Sequence, residues 1–73
     1  MAHEITAPLA GKILQVALEA GAKVEEDDDG FIIEAMKMEN SIYVPCNGTV
    51  TEVRVKPGDM VEEDDVLAVI EEE

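Results

Sequence analysis

A chain of 73 residues is long enough for one domain only, and an apolar core of that size gives marginal stability. Apolar residues make up 47% of the chain but aromatic residues only 3%, so the core must come mainly from Val, Ile, Leu and Ala, which favour strands. The net charge of −13 would repel phosphates, which argues against nucleic acid and anionic membrane surfaces as partners.

The sequence shows no sign of export or membrane insertion. No apolar run approaches the roughly 18 residues needed to cross a bilayer. Residues 1–4 lack the charge and the apolar stretch of a signal peptide. We therefore expect a cytoplasmic protein. Its acidic runs, at residues 25–29, 62–65 and 71–73, are interpreted as solubilising, because they lack the ligand spacing of a calcium loop.

Glycines, prolines and acidic residues divide the chain into short segments typical of strands. In chain order, the predicted strands lie near residues 3–7, 11–18, 23–25, 31–36, 38–44, 48–55, 60–62 and 66–71. The step of three residues from Val50 to Val53 breaks the strand period and predicts a bulge. Val53 is assigned to the core. Four glycines are expected to need a positive φ or a tight turn: Gly11, Gly21, Gly48 and Gly58.

The chain also repeats itself after 37 residues, with 13 identities among 36 aligned pairs. Eight strands from two similar halves, 1–36 and 38–73, predict an all-β fold. We expect a flattened barrel or sandwich of two four-stranded antiparallel sheets related by an approximate two-fold axis. The residue equivalent to Lys37 falls just outside the chain at either end, so the two-fold axis should place the Lys37 turn opposite both termini.

Lys37 occupies the predicted hairpin turn between the halves, with Met36 and Met38 on either side. An exposed methionine forgoes about 1–3 kcal/mol of burial free energy, so its presence at a turn needs an explanation. Methionine is flexible and polarisable and suits a surface that several partners grip in succession. Two alternatives remain open: Lys37 is an ordinary solvated turn residue, or the two methionines fold back onto the core as gap-fillers.

The run Glu34-Ala35-Met36-Lys37-Met38-Glu39 resembles the modification motif of the biotinyl domains of biotin-dependent carboxylases and decarboxylases. The surrounding sequence is similar to that family as well, in Ala7-Pro8-x-x-Gly11, Pro45-x-x-Gly48 and Pro57-Gly58-Asp59. The resemblance covers essentially the whole chain. It implies a single biotinyl domain over residues 1–73, with the modified lysine exposed on a hairpin tip.

The resemblance further implies that a biotin protein ligase joins biotin to the Lys37 amine through an amide. Biotin carboxylase would load the cofactor and a carboxyltransferase or decarboxylase would unload it, so the chain would be a carrier and not an enzyme. The expected recognition residues are Glu34, Ala35, Met36, Met38 and Glu62. Two alternatives remain: a lipoyl-type acyl carrier, or attachment protein for both cofactors, and a structural adaptor whose lysine is never modified.

No catalytic or metal site is expected elsewhere. His3 is interpreted as a solvated side chain near the terminus. Cys46 is the single cysteine, cannot form an internal disulfide, and has only one His, distant in sequence, as a conceivable metal partner. Gly30 stands where the family pattern has an apolar residue and aligns with Leu67 in the repeat, which predicts weaker packing before the hairpin.

Overall fold

Eight β-strands form all the regular structure of the chain in the computed structural model, which describes residues 1–73. They are β1 (Ala2–Thr6), β2 (Gly11–Val16), β3 (Lys23–Val24), β4 (Asp29–Ala35), β5 (Met38–Tyr43), β6 (Gly48–Val53), β7 (Met60–Val61) and β8 (Val66–Glu72). Each lies within two residues of its predicted bounds. The strands form two four-stranded sheets, with orders β1-β8-β6-β3 and β5-β4-β2-β7, and every pairing is antiparallel. The predicted all-β fold is confirmed.

The two halves are related by a repeated set of backbone hydrogen bonds. The N–H of Ala7 donates to the carbonyl of Asp65, and the N–H of Val44, 37 residues after Ala7, donates to the carbonyl of Asp28; both bonds measure 2.9 Å. Each half therefore bonds to the other through the same contact. This exchange is the approximate two-fold relation that the repeat predicts.

The predicted bulge is present in β6. Its register against β8 shifts between Val50 and Glu52, and β2 has the equivalent shift against β4. Val50 is fully buried, but Val53 is only partly buried and packs against the rim of the core. The assignment of Val53 to the core interior is therefore corrected. The bulge keeps Val53 on the core side of the sheet, opposite the buried Ala68, but Val53 is the last residue of β6 and is only partly covered.

A single apolar cluster of 15 residues fills the space between the sheets. Its largest fully buried side chains are Ile13, Ile33, Val44, Val50, Leu67 and Ile70. No charged or polar residue is buried with them. The core is thus made of aliphatic side chains from both halves, and its stability comes from burial rather than from buried polar networks.

The four glycines separate into two kinds. Gly21 and Gly58 have φ values of 91° and 96°, so the expectation of a positive φ is confirmed at these two turns. Gly11 and Gly48 have no positive φ. A Cβ at Gly11 would collide with the carbonyl oxygen of Glu34, and the carbonyl of Glu71 takes the same place at Gly48. Close approach of a neighbouring strand therefore explains the second pair.

Gly30 is buried and lies at a bulge between two paired positions of β4 and β5. A Cβ there would lie 2.9 Å from the carbonyl oxygen of Ile42. The strand approaches its neighbour closely at this point, so we find no gap on the Cβ side of Gly30. Its equivalent, Leu67, is fully buried in the core.

The molecule is elongated, with extents of 35 × 17 × 17 Å. β4 runs towards Lys37, and β2 begins beside the end of β4 because Lys12 pairs with Glu34. β1 therefore ends, and β8 begins, near Lys37, since Ala7 is bonded to Asp65. The start of β1 and the end of β8 lie at the other end, so both termini are opposite Lys37, as predicted. The structure contains no helix suited to spanning a membrane.

Candidate functional site

Lys37 lies at the tip of the β4–β5 hairpin. Ala35 pairs with Met38 across the hairpin, which leaves a loop of two residues, Met36 and Lys37. Their φ values are 53° and 65°. Two-residue hairpins with positive φ at both loop positions are type I′ turns, whose usual residues are Asn and Gly. Met and Lys are unusual here, because a side chain in this region costs about 1–2 kcal/mol.

The methionines beside Lys37 point into solvent. Met36 is 92% exposed and Met38 is 66% exposed. The alternative in which both side chains fold back onto the core is therefore wrong. An apolar, flexible pair is held on either side of the lysine, at a position where it makes no contribution to the core.

The two residues before the turn differ in their exposure. Glu34 is exposed and lies between Lys12 of β2 and Glu39 of β5 in the sheet. Ala35 is 6% exposed, so its side chain is not available for a large contact. A small side chain fits this buried position at the end of β4, whereas the exposed Glu34 is free to contact another molecule.

Glu62 lies at the same end of the molecule as Lys37. It follows Val61, which pairs with Gly11, and the register places Gly11 level with Ala35. Two strand spacings, about 10 Å, therefore separate this turn from the hairpin. The N–H of Glu62 donates to the Asp65 carboxylate at 2.8 Å, while its own carboxylate is exposed.

The Lys37 side chain is exposed and its amine makes no hydrogen bond or ion pair. An amine at a tip with open space around it fits the covalent attachment of a carboxylic acid cofactor, because neither a neighbouring charge nor the sheet obstructs acylation. Of the other four cationic side chains, Lys12 and Lys23 lie within strands, and Arg54 and Lys56 lie in the connection between β6 and β7.

A second cluster of reactive side chains lies at the opposite end. The Nε2 atom of His3 is 3.0 Å from a carboxylate oxygen of Glu72, and the thiol of Cys46 lies beside them. His3 is therefore paired rather than freely solvated. The repeat contains the signal that would have located this pair, because β8 and β1 are the equivalents of β4 and β5 and so must pair in the same register.

These contacts change the acid–base behaviour of two groups. Burial, helped by the charges of Glu72 and Glu26, raises the pKa of the Cys46 thiol. The hydrogen bond from His3, followed by its charge, lowers the pKa of the Glu72 carboxyl. Cys46 therefore keeps its proton more strongly than an exposed thiol does.

Comparison with known protein families identifies the domain that carries the Lys37 hairpin. The biotin/lipoyl family model, described as "Biotin-requiring enzyme", matches residues 2–70. The chain belongs to this family. It is a biotin carrier domain of the kind found in carboxylase and decarboxylase complexes, and biotin is its cofactor.

Curated relatives match about half of this biotin carrier domain. It is 49% identical over 41 residues to the methylmalonyl-CoA decarboxylase subunit gamma of Veillonella parvula, covering 56% of the chain and 32% of the relative. It is 53% identical over 38 residues to the glutaconyl-CoA decarboxylase subunit gamma of Acidaminococcus fermentans, covering 52% and 26% respectively. The matched segments thus span a third or less of these relatives.

Solved structures match the entire biotin carrier domain. A single-chain, multi-domain long-chain acyl-CoA carboxylase superposes on 99% of the chain with a TM-score of 0.91 and 30% identity. The Kluyveromyces lactis urea carboxylase superposes on 96% of it with a TM-score of 0.87 and 36% identity. The chain corresponds to 7% and 6% of these two proteins.

Proposed function

We propose that Lys37 is the residue that carries biotin, through an amide to its amine, and that residues 1–73 form one biotinyl unit. The observation that carries the proposal is the hairpin tip, where an unpaired lysine lies between two exposed methionines. Attachment there removes the positive charge of the lysine. When bound, biotin supplies a ureido nitrogen that accepts and releases a carboxyl group.

Each neighbour of Lys37 has a separate role in this proposal. Glu34, Met36 and Met38 offer exposed contacts to a biotin protein ligase and to the enzymes that use the carrier, and Glu62 extends the same face. Ala35 fits the buried position beside the turn. The protein supplies attachment, reach and recognition, while catalytic groups belong to the partner enzymes.

Intact mass after co-expression with an active biotin protein ligase tests the attachment site. We expect one biotin per chain, lost in Lys37→Arg and retained in Lys12→Arg and Lys56→Arg, which change exposed lysines elsewhere. An addition that persists in Lys37→Arg would refute the site. A lipoyl-sized addition would favour the lipoyl carrier, and an unchanged mass would favour the structural adaptor.

We further propose that the biotinylated domain exchanges carboxyl groups with a biotin carboxylase and with a carboxyltransferase or decarboxylase. The names of the relatives support partners of this kind, since these are subunits of acyl-CoA decarboxylases. Tethering would present the cofactor at high effective concentration to both partners. The test is transfer of label from bicarbonate to the biotinylated domain by biotin carboxylase and ATP. No label on the domain, with a carboxylase that is active on free biotin, would reject the proposal.

A further inference from the structure

Three side chains with metal-binding atoms meet at the end of the molecule opposite Lys37. His3 lies in β1, Cys46 in the connection between β5 and β6, and Glu72 at the end of β8. One ligand atom from each lies within 4.8 Å of the other two. The fold brings together three segments that are up to 69 residues apart in the sequence.

We propose that His3, Cys46 and Glu72 bind a divalent cation of the zinc type. Imidazole nitrogen, thiolate sulfur and carboxylate oxygen are the ligands that this ion takes in proteins, and three of them leave a fourth position for water. Calcium and magnesium are disfavoured, because they prefer sets of oxygen ligands.

The geometry requires only a small adjustment. In a tetrahedral site with bonds of about 2.0–2.3 Å, the ligand atoms lie about 3.5 Å apart. The widest pair must therefore close by about 1 Å. The side chains of His3 and Glu72 are 39% and 40% exposed, so both can rotate towards the sulfur without disturbing the core.

The two-fold relation shows that this set is not a by-product of the repeat. The equivalents of His3, Cys46 and Glu72 are Asn40, Leu9 and Ala35, at the Lys37 end. Those residues offer at most one weak ligand. The three metal-binding side chains are therefore a property of the terminal end alone.

The surroundings favour a cation. The chain has a net charge of −13, which raises the local concentration of cations. Binding would release the thiol proton of Cys46 to solvent and place the metal between the thiolate and the Glu72 carboxylate. The metal would then join β1, β8 and the β5–β6 connection, and would stabilise the folded state.

Cobalt(II) titration of the chelator-treated full chain tests the site, because cobalt bound to thiolate absorbs strongly in the near ultraviolet. We expect one cobalt per chain, displaced by zinc, and a higher melting temperature with zinc present. The thiolate band should vanish in Cys46→Ser. Affinity should fall about tenfold or more in His3→Gln and Glu72→Gln. Glu71→Gln, on the same strand, is the control. Its affinity for cobalt should stay within about twofold of that of the parent, because the Glu71 carboxylate is not one of the three ligands.

Two results would overturn the proposal. The first is a parent chain that shows no thiolate band at saturating cobalt. The second is unchanged affinity in both His3→Gln and Glu72→Gln, which would mean that scattered surface carboxylates hold the ion. These two variants alter partly exposed side chains, so the test holds even if Cys46→Ser fails to fold.

Discussion

At the scale of single residues, the exposed methionines carry most of the information about the site. Met36 and Met38 contribute nothing to the core, so folding alone does not explain them. Contact with a partner does, since burying an apolar side chain at an interface recovers the free energy that exposure forgoes. A third methionine, Met60, is 75% exposed and lies in β7 of the same sheet, two strands from β4.

Met36→Ala and Met38→Ala should therefore separate recognition from folding. We expect the free energy of unfolding to change by less than about 0.5 kcal/mol, as for surface substitutions in general. Biotinylation or carboxyl transfer should slow by about fivefold or more, equal to about 1 kcal/mol of lost contact. Thermal unfolding and single-turnover biotinylation measure the two effects.

The control is Tyr43→Ala, which removes an exposed side chain at the end of β5 farthest from the turn. It should leave both modification and transfer at the rate of the parent chain. Unchanged kinetics in both Met36→Ala and Met38→Ala would contradict the assignment of these side chains to recognition.

At the scale of secondary structure, the hairpin turn combines an unfavourable backbone conformation with exposed side chains. Met36 has a positive φ of 53°, a conformation that Asn adopts more readily than Met does. Met36→Asn should raise the free energy of unfolding by up to about 1 kcal/mol. The same change should slow biotinylation, because the apolar contact is lost.

Urea unfolding of Met36→Asn and Met38→Asn gives the comparison. Met38 lies in a strand without positive φ, and Asn is disfavoured in strands, so this control should not gain stability. A loss of stability in Met36→Asn equal to that in Met38→Asn would show that the turn conformation does not limit the choice of residue.

The positions of two valines in β6 predict unequal effects, because Val53 is the last residue of the strand. Val50 is fully buried and Val53 is partly buried. Val50→Ala should cost about 2 kcal/mol of unfolding free energy, from lost burial and a cavity. Val53→Ala should cost about half as much. Urea denaturation measures both, and equal costs would mean that Val53 contributes as much to the core as Val50 does.

The number of strands, their approximate bounds and the position of the hairpin follow from features visible in the sequence. The matched prolines, glycines and acidic runs fix the turns, and the repeat fixes the two-fold relation. The conformation of the Met36–Lys37 turn could not be predicted, because neither residue signals a positive φ. The half-burial of Val53 reflects its place at the end of β6. The contact between His3 and Glu72 follows from the repeat, which fixes the pairing of β1 with β8. The contact between His3 and Cys46 does not, because it depends on how the folded chain brings the β5–β6 connection against β1.

At the scale of the whole molecule, shape and charge act together. The Lys37 tip and the terminal end are separated along the 35 Å axis of the molecule. A partner that binds the tip therefore need not contact the chain ends. The two ends also differ in chemistry. One end presents a lysine between two exposed methionines, and the other presents a cluster of His, Cys and Glu side chains.

The charge of the whole chain should make its stability depend on salt. There are 18 acidic and 5 basic residues, and the structure has only four ion pairs within 4 Å. Most carboxylates therefore repel one another across a body 17 Å wide. Screening shortens that repulsion to about 8 Å at 0.15 M salt, so added salt should stabilise the folded state.

We expect the melting temperature to rise by several degrees, about 1 kcal/mol in unfolding free energy, between 20 mM and 500 mM potassium chloride. Circular dichroism of chelator-treated protein measures it without interference from bound metal. A variant with Glu26, Asp29 and Glu63 changed to Gln, Asn and Gln removes three exposed charges. It should melt higher than the parent at low salt and respond less to added salt. An equal response in the two proteins would mean that the salt acts by some route other than screening of the surface carboxylates.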